Sequence, residues 1–299
     1  MGLPNLGQLL HLGRALCQTS SSGRGLMDTV SLTNYVISAY LLAFAVRLLT
    51  LRANLHNGVQ GLPRWACLPL ALFATGLHGF GWLEASDFGT NLNFSLLHAM
   101  SLVMLITNLL IIITAALRPV EQLGIVTFPL TAIILLLGEA FPEPLRPLHH
   151  SSPGMTIHVL SSLIAFSFLG IASIQGLLLL LQDACLRRRY LKAWILRSLP
   201  SLESMESLMF SLIGSGLLFL TLSLASGFVF LENMFAQHLA HKTILALIAW
   251  LVFGTLLLGR ARFGWRGIVA IRWTLAGFAT LLLAYFGSKL VIELILKRG

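Results

Sequence analysis

The chain has 299 residues, of which 57% are hydrophobic and only 10% are charged. A water-soluble fold cannot bury so large an apolar fraction, so the composition excludes a soluble globular protein and indicates a polytopic helical membrane protein. The net charge of +9 would suit a nucleic-acid-binding protein, but in a membrane protein the position of the positive charges reports topology. The three cysteines show no CxxC spacing, which argues against a thiol relay or a structural zinc site.

Apolar runs predict an all-α bundle of about eight transmembrane helices. A polar extension over residues 1–28 comes first, and residues 29–299 form one transmembrane domain, because no connection is long enough for a soluble domain. The fourth predicted helix is short for the ~20 residues that a span needs, but its charged and proline-containing borders favour a span over a loop. In chain order the predicted helices are Thr29–Leu51, Trp65–Leu83, Asn93–Leu117, Leu123–Leu137, Met155–Leu181, Leu208–Leu231, Thr243–Gly259 and Ile268–Leu296.

Positive residues concentrate in alternate connections of this bundle. The connections after the first, third, fifth and seventh helices are rich in arginine, as in "LRRRYLKAWILR" and "GRARFGWRG". The connections after the second, fourth and sixth helices carry mainly acidic residues. The positive-inside rule therefore predicts that the arginine-rich connections lie in the cytoplasm and that both termini lie on the outer side.

Eight of the nine histidines fall on the predicted outer side, and four of them belong to helices. Polar side chains at membrane depth tend to face the bundle interior, and neutral imidazole is a common ligand of metals and haem iron. These four histidines are therefore candidate cofactor ligands, and two of them, on the second and fifth helices, are candidates to clamp one haem iron. The alternative is that each is an interfacial residue bonded to a carbonyl or to water. The four are His78 on the second helix, His98 on the third, His158 on the fifth and His241 at the head of the seventh.

Other polar residues within or beside the spans have structural explanations. Gln175, deep in the fifth helix, is expected to hydrogen-bond a neighbouring helix. Glu203 and Glu206 lie where the chain enters the sixth helix, and the helix dipole favours acidic residues there. Lys289 and Glu293 have the i,i+4 spacing of an ion pair in the eighth helix.

Several motifs of known chemistry are missing from the sequence. It contains no P-loop, no GxSxG, no HExxH and no row of intramembrane carboxylates. Their absence argues against phosphoryl transfer, hydrolysis and ion-coupled transport.

Four segments carry a family resemblance: "PGMTIHVLSSLIAFSFLGIASIQGLLLLL", "LPSLESMESLMFSLIGSGLLFLTLSLASGFVF", "HKTILALIAWLVFGTLLLGRARFGWRG" and "AGFATLLLAYFGSKLV". In this order they resemble the cytochrome c assembly membrane family, which includes CcsA-type and HemX-like proteins, and in particular its short bacterial branch. The resemblance runs from about Trp65 to the C-terminus and is strongest from Gly154 to Lys289.

The resemblance implies a bacterial inner-membrane protein in which outer histidines hold haem. In CcsA-type proteins a tryptophan-rich loop then presents the haem to apocytochrome thiols, and His158 matches the first outer histidine of the family. At the position of that loop this chain has "LENMFAQHLAHK", which contains no tryptophan. Two other family histidines align near Leu258 or Gly259 and near Leu296. Without the tryptophan-rich loop we expect no self-sufficient enzymatic activity.

Three hypotheses of function follow. The first is a protein of cytochrome c biogenesis or haem homeostasis that binds or passes haem b through His158 and His78, with His98 or His241 as substitutes. Its expected partners are membrane lipids, haem and cytochrome c maturation or other membrane proteins, and not nucleic acid. The second is a haem-free, HemX-like accessory subunit acting through the cytoplasmic segment "LRRRYLKAWILRSLPSLESMES". The third, a small-molecule or lipid transporter, lacks a coupling-ion site.

Overall fold

The computed structural model describes residues 32–53, 64–85, 95–118, 120–142, 153–187, 200–230 and 237–287. Within these ranges it contains eight long helices and no strand, which confirms the all-α membrane bundle. The predicted N-terminal extension and the segment containing Lys289 and Glu293 lie outside the described residues. The helices are α1 (Leu32–Ala53), α2 (Leu68–Ala85), α3 (Leu96–Leu117), α4 (Gly124–Ala140), α5 (Pro153–Arg187), α6 (Leu202–Phe230), α7 (Gln237–Phe263) and α8 (Ile268–Leu282).

Seven of these helices are long and apolar enough to cross a membrane, and α2 is the exception. It has 18 residues, and His78 and Glu84 lower its hydropathy. The fourth helix is longer than predicted. A 3₁₀ turn over Glu121–Leu123 precedes α4, and the resulting segment, Glu121–Ala140, has 20 residues, enough for a full span. At the other end of the chain, α8 continues as one π-helical turn, Leu283–Gly287.

The buried apolar residues form two clusters. The larger cluster joins α3 with α5, α6, α7 and α8, and the smaller one joins α1, α2 and α4 around Tyr40, which is fully buried. Polar side chains connect neighbouring helices within the apolar interior. Gln175 donates to the carbonyl of Met205 at 3.2 Å, which confirms the expected interhelical hydrogen bond. Asn108 of α3 donates to the hydroxyl of Thr131 on α4 at 2.8 Å.

The turn between α7 and α8, which the arginines predict to be cytoplasmic, is also a packed structure. Gly264 and Gly267 have φ angles of 66° and 59°, a conformation that suits glycine. This turn folds the Trp265 indole against Gly259, and the Trp265 amide donates to the Gly259 carbonyl at 3.3 Å. Trp265 therefore packs against the last turns of α7.

Ion pairs attach the same turn to the start of α6. Arg260 donates to the Glu206 carboxylate at 2.9 Å, and its guanidinium lies 3.9 Å from the centroid of the Phe210 ring. Arg266 approaches Glu203 and Glu206, each at 3.7 Å. Glu203 and Glu206, which the helix dipole was expected to favour at the start of the helix, thus also bind arginines at the turn between α7 and α8.

Candidate functional site: two outer cavities

The ends of α1, α2, α3 and α4 that are predicted to lie on the outer side enclose a cavity of about 300 Å³, called here the amino-terminal cavity. Its walls come from the first residues of α1 and α3 and the last residues of α2 and α4, since these antiparallel neighbours meet at the same end of the bundle. The polar side chains that line it are Thr33, His78, Trp82, Ser95, His98, Ser101 and Glu139.

His78 is buried in this cavity wall, with 4% of its surface exposed, and both of its ring nitrogens have partners. The Tyr40 hydroxyl lies 3.3 Å from Nδ1, and the Ser101 hydroxyl lies 2.8 Å from Nε2. The Tyr40 ring also meets the imidazole edge to face, with centroids 5.9 Å apart. His78 therefore joins three helices, α1, α2 and α3, at the outer end of the bundle.

His98 lies in the same cavity, but its side chain makes different contacts. Its imidazole stacks on the Trp82 indole, with ring centroids 5.4 Å apart and an interplanar angle of 24°. Nε2 of His98 and Nε1 of Trp82 are both buried without a hydrogen-bond partner among the described residues. The Glu139 carboxyl group has a hydrogen bond with Thr33, yet its Oε1 is also buried without a partner. Buried polar atoms in native structures are nearly always paired, so these three atoms around one cavity have hydrogen-bonding capacity for water or a ligand.

The second outer cavity, called here the carboxy-terminal cavity, has a volume of about 330 Å³. Its walls come from α5, α6, α7, the π-helical turn after α8 and one residue of α3, Ala99. Most of the lining is apolar. Its polar side chains are His158, Ser162, Ser223, Lys242, Thr243 and Tyr285.

His158 has a fixed tautomer in this cavity. Its Nδ1 lies 2.8 Å from the carbonyl oxygen of Ser223. Because a carbonyl only accepts hydrogen bonds, Nδ1 must carry the proton, and Nε2 of the neutral ring keeps its lone pair. An imidazole held in this way by a backbone carbonyl is typical of histidines that bind a metal, since the hydrogen bond orients the ring and raises its basicity.

The structure therefore separates the predicted ligands into two groups. His78 and His98 share the amino-terminal cavity, and His158 lines the other one. Helix α3 lies between them, because His98 lines the first cavity and the next residue, Ala99, lines the second. His241 is exposed and lines neither cavity, whereas its neighbour Lys242 lines the second. The pairing of His158 with His78 on one iron stays a prediction.

Sequence reasoning missed several residues of these cavities. The sequence placed Glu139 in the connection after the fourth helix, because the predicted helix ended two residues earlier, at Leu137. Trp82 and Tyr285 had no pattern that separates a cavity residue from an interfacial aromatic residue. Ser223 takes part through its backbone carbonyl, for which a sequence contains no signal. A group of three or more histidine, cysteine or acidic side chains able to bind a metal ion does not occur within the described ranges.

Comparisons with known proteins agree with the features of the bundle. The inner membrane protein YpjD of Escherichia coli strain K12 is 32% identical over 258 residues, which cover 85% of this chain and 97% of that protein. An uncharacterized 28.8 kDa protein from the nifR3-like 5′ region of Azospirillum brasilense is 32% identical over 164 residues, or 54% of this chain and 59% of that protein. No solved structure matches. The family model described as cytochrome C assembly protein matches residues 66–296. The chain is a multi-pass protein of the bacterial inner membrane and belongs to the cytochrome c assembly protein family.

Proposed function

We propose that the protein binds haem b at the outer side of the inner membrane, in the carboxy-terminal cavity, with His158 as the iron ligand. The observation that carries the proposal is the hydrogen bond from His158 Nδ1 to the Ser223 carbonyl, which leaves Nε2 available to a metal. Membership of the cytochrome c assembly family supports it independently.

The other residues of this cavity suit a haem. The lining is mainly apolar, as a porphyrin requires, and small side chains such as Ser162, Ala246 and Ala284 leave room for a flat ring. Lys242 supplies a positive charge for a propionate. The volume of about 330 Å³ lies near the lower end of the range for ligand pockets, so the cavity would enclose only part of a haem. Bound haem would supply a redox-active iron, and the protein would orient it and limit its contact with water.

His78, the second ligand predicted from the sequence, would need a larger change in the structure to bind iron. Its two ring nitrogens bind Tyr40 and Ser101, and α3 separates it from His158. A haem held by His158 alone leaves these contacts intact. A haem held by both histidines requires α3 to move and the hydrogen bonds of His78 to break.

Visible spectra of protein purified in detergent from haem-supplied cells test the proposal. Oxidised and dithionite-reduced spectra are recorded for the wild type, His158→Gly and His78→Ala, with the exposed His241→Ala as the control. We expect the Soret band to be lost in His158→Gly, to return when imidazole is added, and to remain in His241→Ala. Loss of the band in His78→Ala as well would identify the bis-histidine site. Folded, monodisperse wild type without a Soret band, or an unchanged spectrum in His158→Gly, would refute the proposal.

The second candidate function is that of a haem-free accessory subunit acting through its cytoplasmic face. The observation that favours it is an exposed pair of charged side chains, Glu203 within the segment from Leu186 to Ser207 and Arg266 in the turn between α7 and α8. Arg266 and Glu203 are 59% and 85% exposed and form only a long contact of 3.7 Å, so both have capacity for a partner protein. Charge-swapped Glu203→Lys and Arg266→Glu would then lose partners from a crosslinked pulldown. Identical partners in the wild type and both variants would argue against this function.

A further inference from the structure

We propose that the amino-terminal cavity is a separate binding site for a zwitterionic group that joins an ammonium to an oxygen acceptor, as ethanolamine phosphate does. The proposal does not depend on haem binding, because it rests on other residues and on another cavity. The chemistry occurs both in ethanolamine phospholipids and in soluble phosphoamines, and the experiment below distinguishes these two sources.

The unpartnered atoms of the cavity define what the ligand must offer. Nε1–H of Trp82 can only donate a hydrogen bond, so the ligand must present an acceptor oxygen. Oε1 of the Glu139 carboxylate only accepts, so the ligand must also present an N–H or O–H donor. Nε2 of His98 donates or accepts a hydrogen bond according to the tautomer of the ring, so it can pair with either the acceptor or the donor of the ligand. One zwitterion meets all of these requirements.

Charge points to a cationic donor. Among the described residues that line the cavity, Glu139 is the one acidic residue, and there is neither lysine nor arginine. A carboxylate in a partly enclosed site favours a positively charged ligand. The Trp82 indole in the wall adds an aromatic surface, which attracts ammonium groups.

Size and position agree with this ligand. A cavity of about 300 Å³ exceeds the ~30 Å³ share of one water molecule by about tenfold and reaches the range of small-molecule pockets. It lies at the outer ends of four helices, and Phe141, at its rim, is 65% exposed. In the orientation predicted from the sequence, the outer ends of the helices lie at the level of the lipid headgroups.

The carboxy-terminal cavity has the opposite chemistry. Of the described residues that line it, Lys242 carries a positive charge and none is acidic, so it favours an anion. Haem propionates would meet Lys242 in that cavity and would meet Glu139 in the amino-terminal one. The two outer cavities therefore select ligands of opposite charge.

Thermal-shift and native mass-spectrometry titrations of delipidated protein test the proposal. The lipid probes are dioleoyl phosphatidylethanolamine and dioleoyl phosphatidylglycerol, which share acyl chains and differ in the ammonium. The soluble probes are O-phosphoethanolamine and glycerol 3-phosphate. Each is measured with the wild type, Glu139→Gln, Trp82→Phe and Glu84→Gln, the last being a matched control because Glu84 is exposed and outside the cavity lining.

We expect the ethanolamine probe to be preferred over its partner without an amine. Glu139→Gln should weaken its binding about tenfold or more, since it removes the charge that pairs with the ammonium, and Trp82→Phe should weaken it by a smaller factor. Glu84→Gln should bind like the wild type. Selectivity for the lipid alone would identify a headgroup site, and selectivity for the soluble amine as well would identify a small-molecule site. Equal binding of amine and non-amine probes, or an unchanged preference in folded Glu139→Gln, would overturn the proposal.

Discussion

The contact between Gly259 and Trp265 gives the sharpest prediction about stability. A Cβ atom built on Gly259 would lie 2.4 Å from the nearest carbon of the Trp265 ring, whereas one built on Gly254, in the same helix, would meet nothing within 4 Å. Replacing glycine with alanine inside a helix usually stabilises it by about 0.8–1 kcal/mol. Overpacking a rigid side chain costs about 1–3 kcal/mol. Gly254→Ala should therefore stabilise the protein, and Gly259→Ala should be neutral or destabilising by up to about 2 kcal/mol.

Unfolding of both variants in the same detergent, followed by circular dichroism, measures the difference. The decisive comparison repeats Gly259→Ala in a Trp265→Ala background, where the obstructing ring is absent. In that background Gly259→Ala should stabilise the protein, as Gly254→Ala does. The difference between the two backgrounds should give a coupling energy of about 1–3 kcal/mol between Gly259 and Trp265. Equal stabilisation by Gly254→Ala and Gly259→Ala with Trp265 present would refute the steric reasoning.

Three further predictions concern polar contacts. Ser101→Ala removes the partner of His78 Nε2 and should lower the free energy of unfolding by about 1–3 kcal/mol, whereas Ser211→Ala, whose exposed hydroxyl bonds only to its own helix, should change it little. Glu206→Gln should destabilise by about 1 kcal/mol because its side chain is only 14% exposed, and Glu203→Gln, with 85% exposure, should have no measurable effect in the same denaturation assay. Gln175→Leu removes the α5–α6 hydrogen bond at Met205 and should cost about 0.6 kcal/mol, the average for such bonds in membranes; a loss above about 2 kcal/mol would show that Gln175 has another role.

The sequence was enough to predict the helices because membrane-depth hydropathy is a local property. It was less accurate at helix ends. Helix α7 begins at Gln237, six residues before the predicted Thr243, since polar residues are tolerated in a helix once it leaves the hydrocarbon region. Helix α4 ends at Ala140, three residues after the predicted Leu137, and this difference brought Glu139 into a cavity wall.

The candidate sites were harder to predict. The position of a residue along a helix indicates its depth in the membrane, but not which neighbouring helix its side chain meets. His78 and His158 were correctly expected to belong to two different helices, yet which helix lies between them depends on the packing of the whole bundle. The stacking of His98 on Trp82 joins α3 to α2, and the bond from His158 to the Ser223 carbonyl joins α5 to α6. Contacts of this kind follow from the arrangement of the helices around one another, which local patterns do not encode.

Helix α3 forms part of both cavities, and hydrogen bonds attach it to the helices on both sides. Ser101 binds His78 of α2, Asn108 binds Thr131 of α4, and the Val103 carbonyl accepts from Ser167 of α5 at 3.3 Å. A ligand in one cavity can affect the other by changing the wall that they share, and coupling of binding free energies is equal in both directions. With α3 bonded to helices on both sides, haem loading should change the affinity for the ethanolamine probe by less than about twofold, and the probe should leave haem affinity equally unchanged. Equal and larger shifts in both titrations would show instead that α3 moves, and movement of α3 is the condition under which His78 could reach the haem bound by His158.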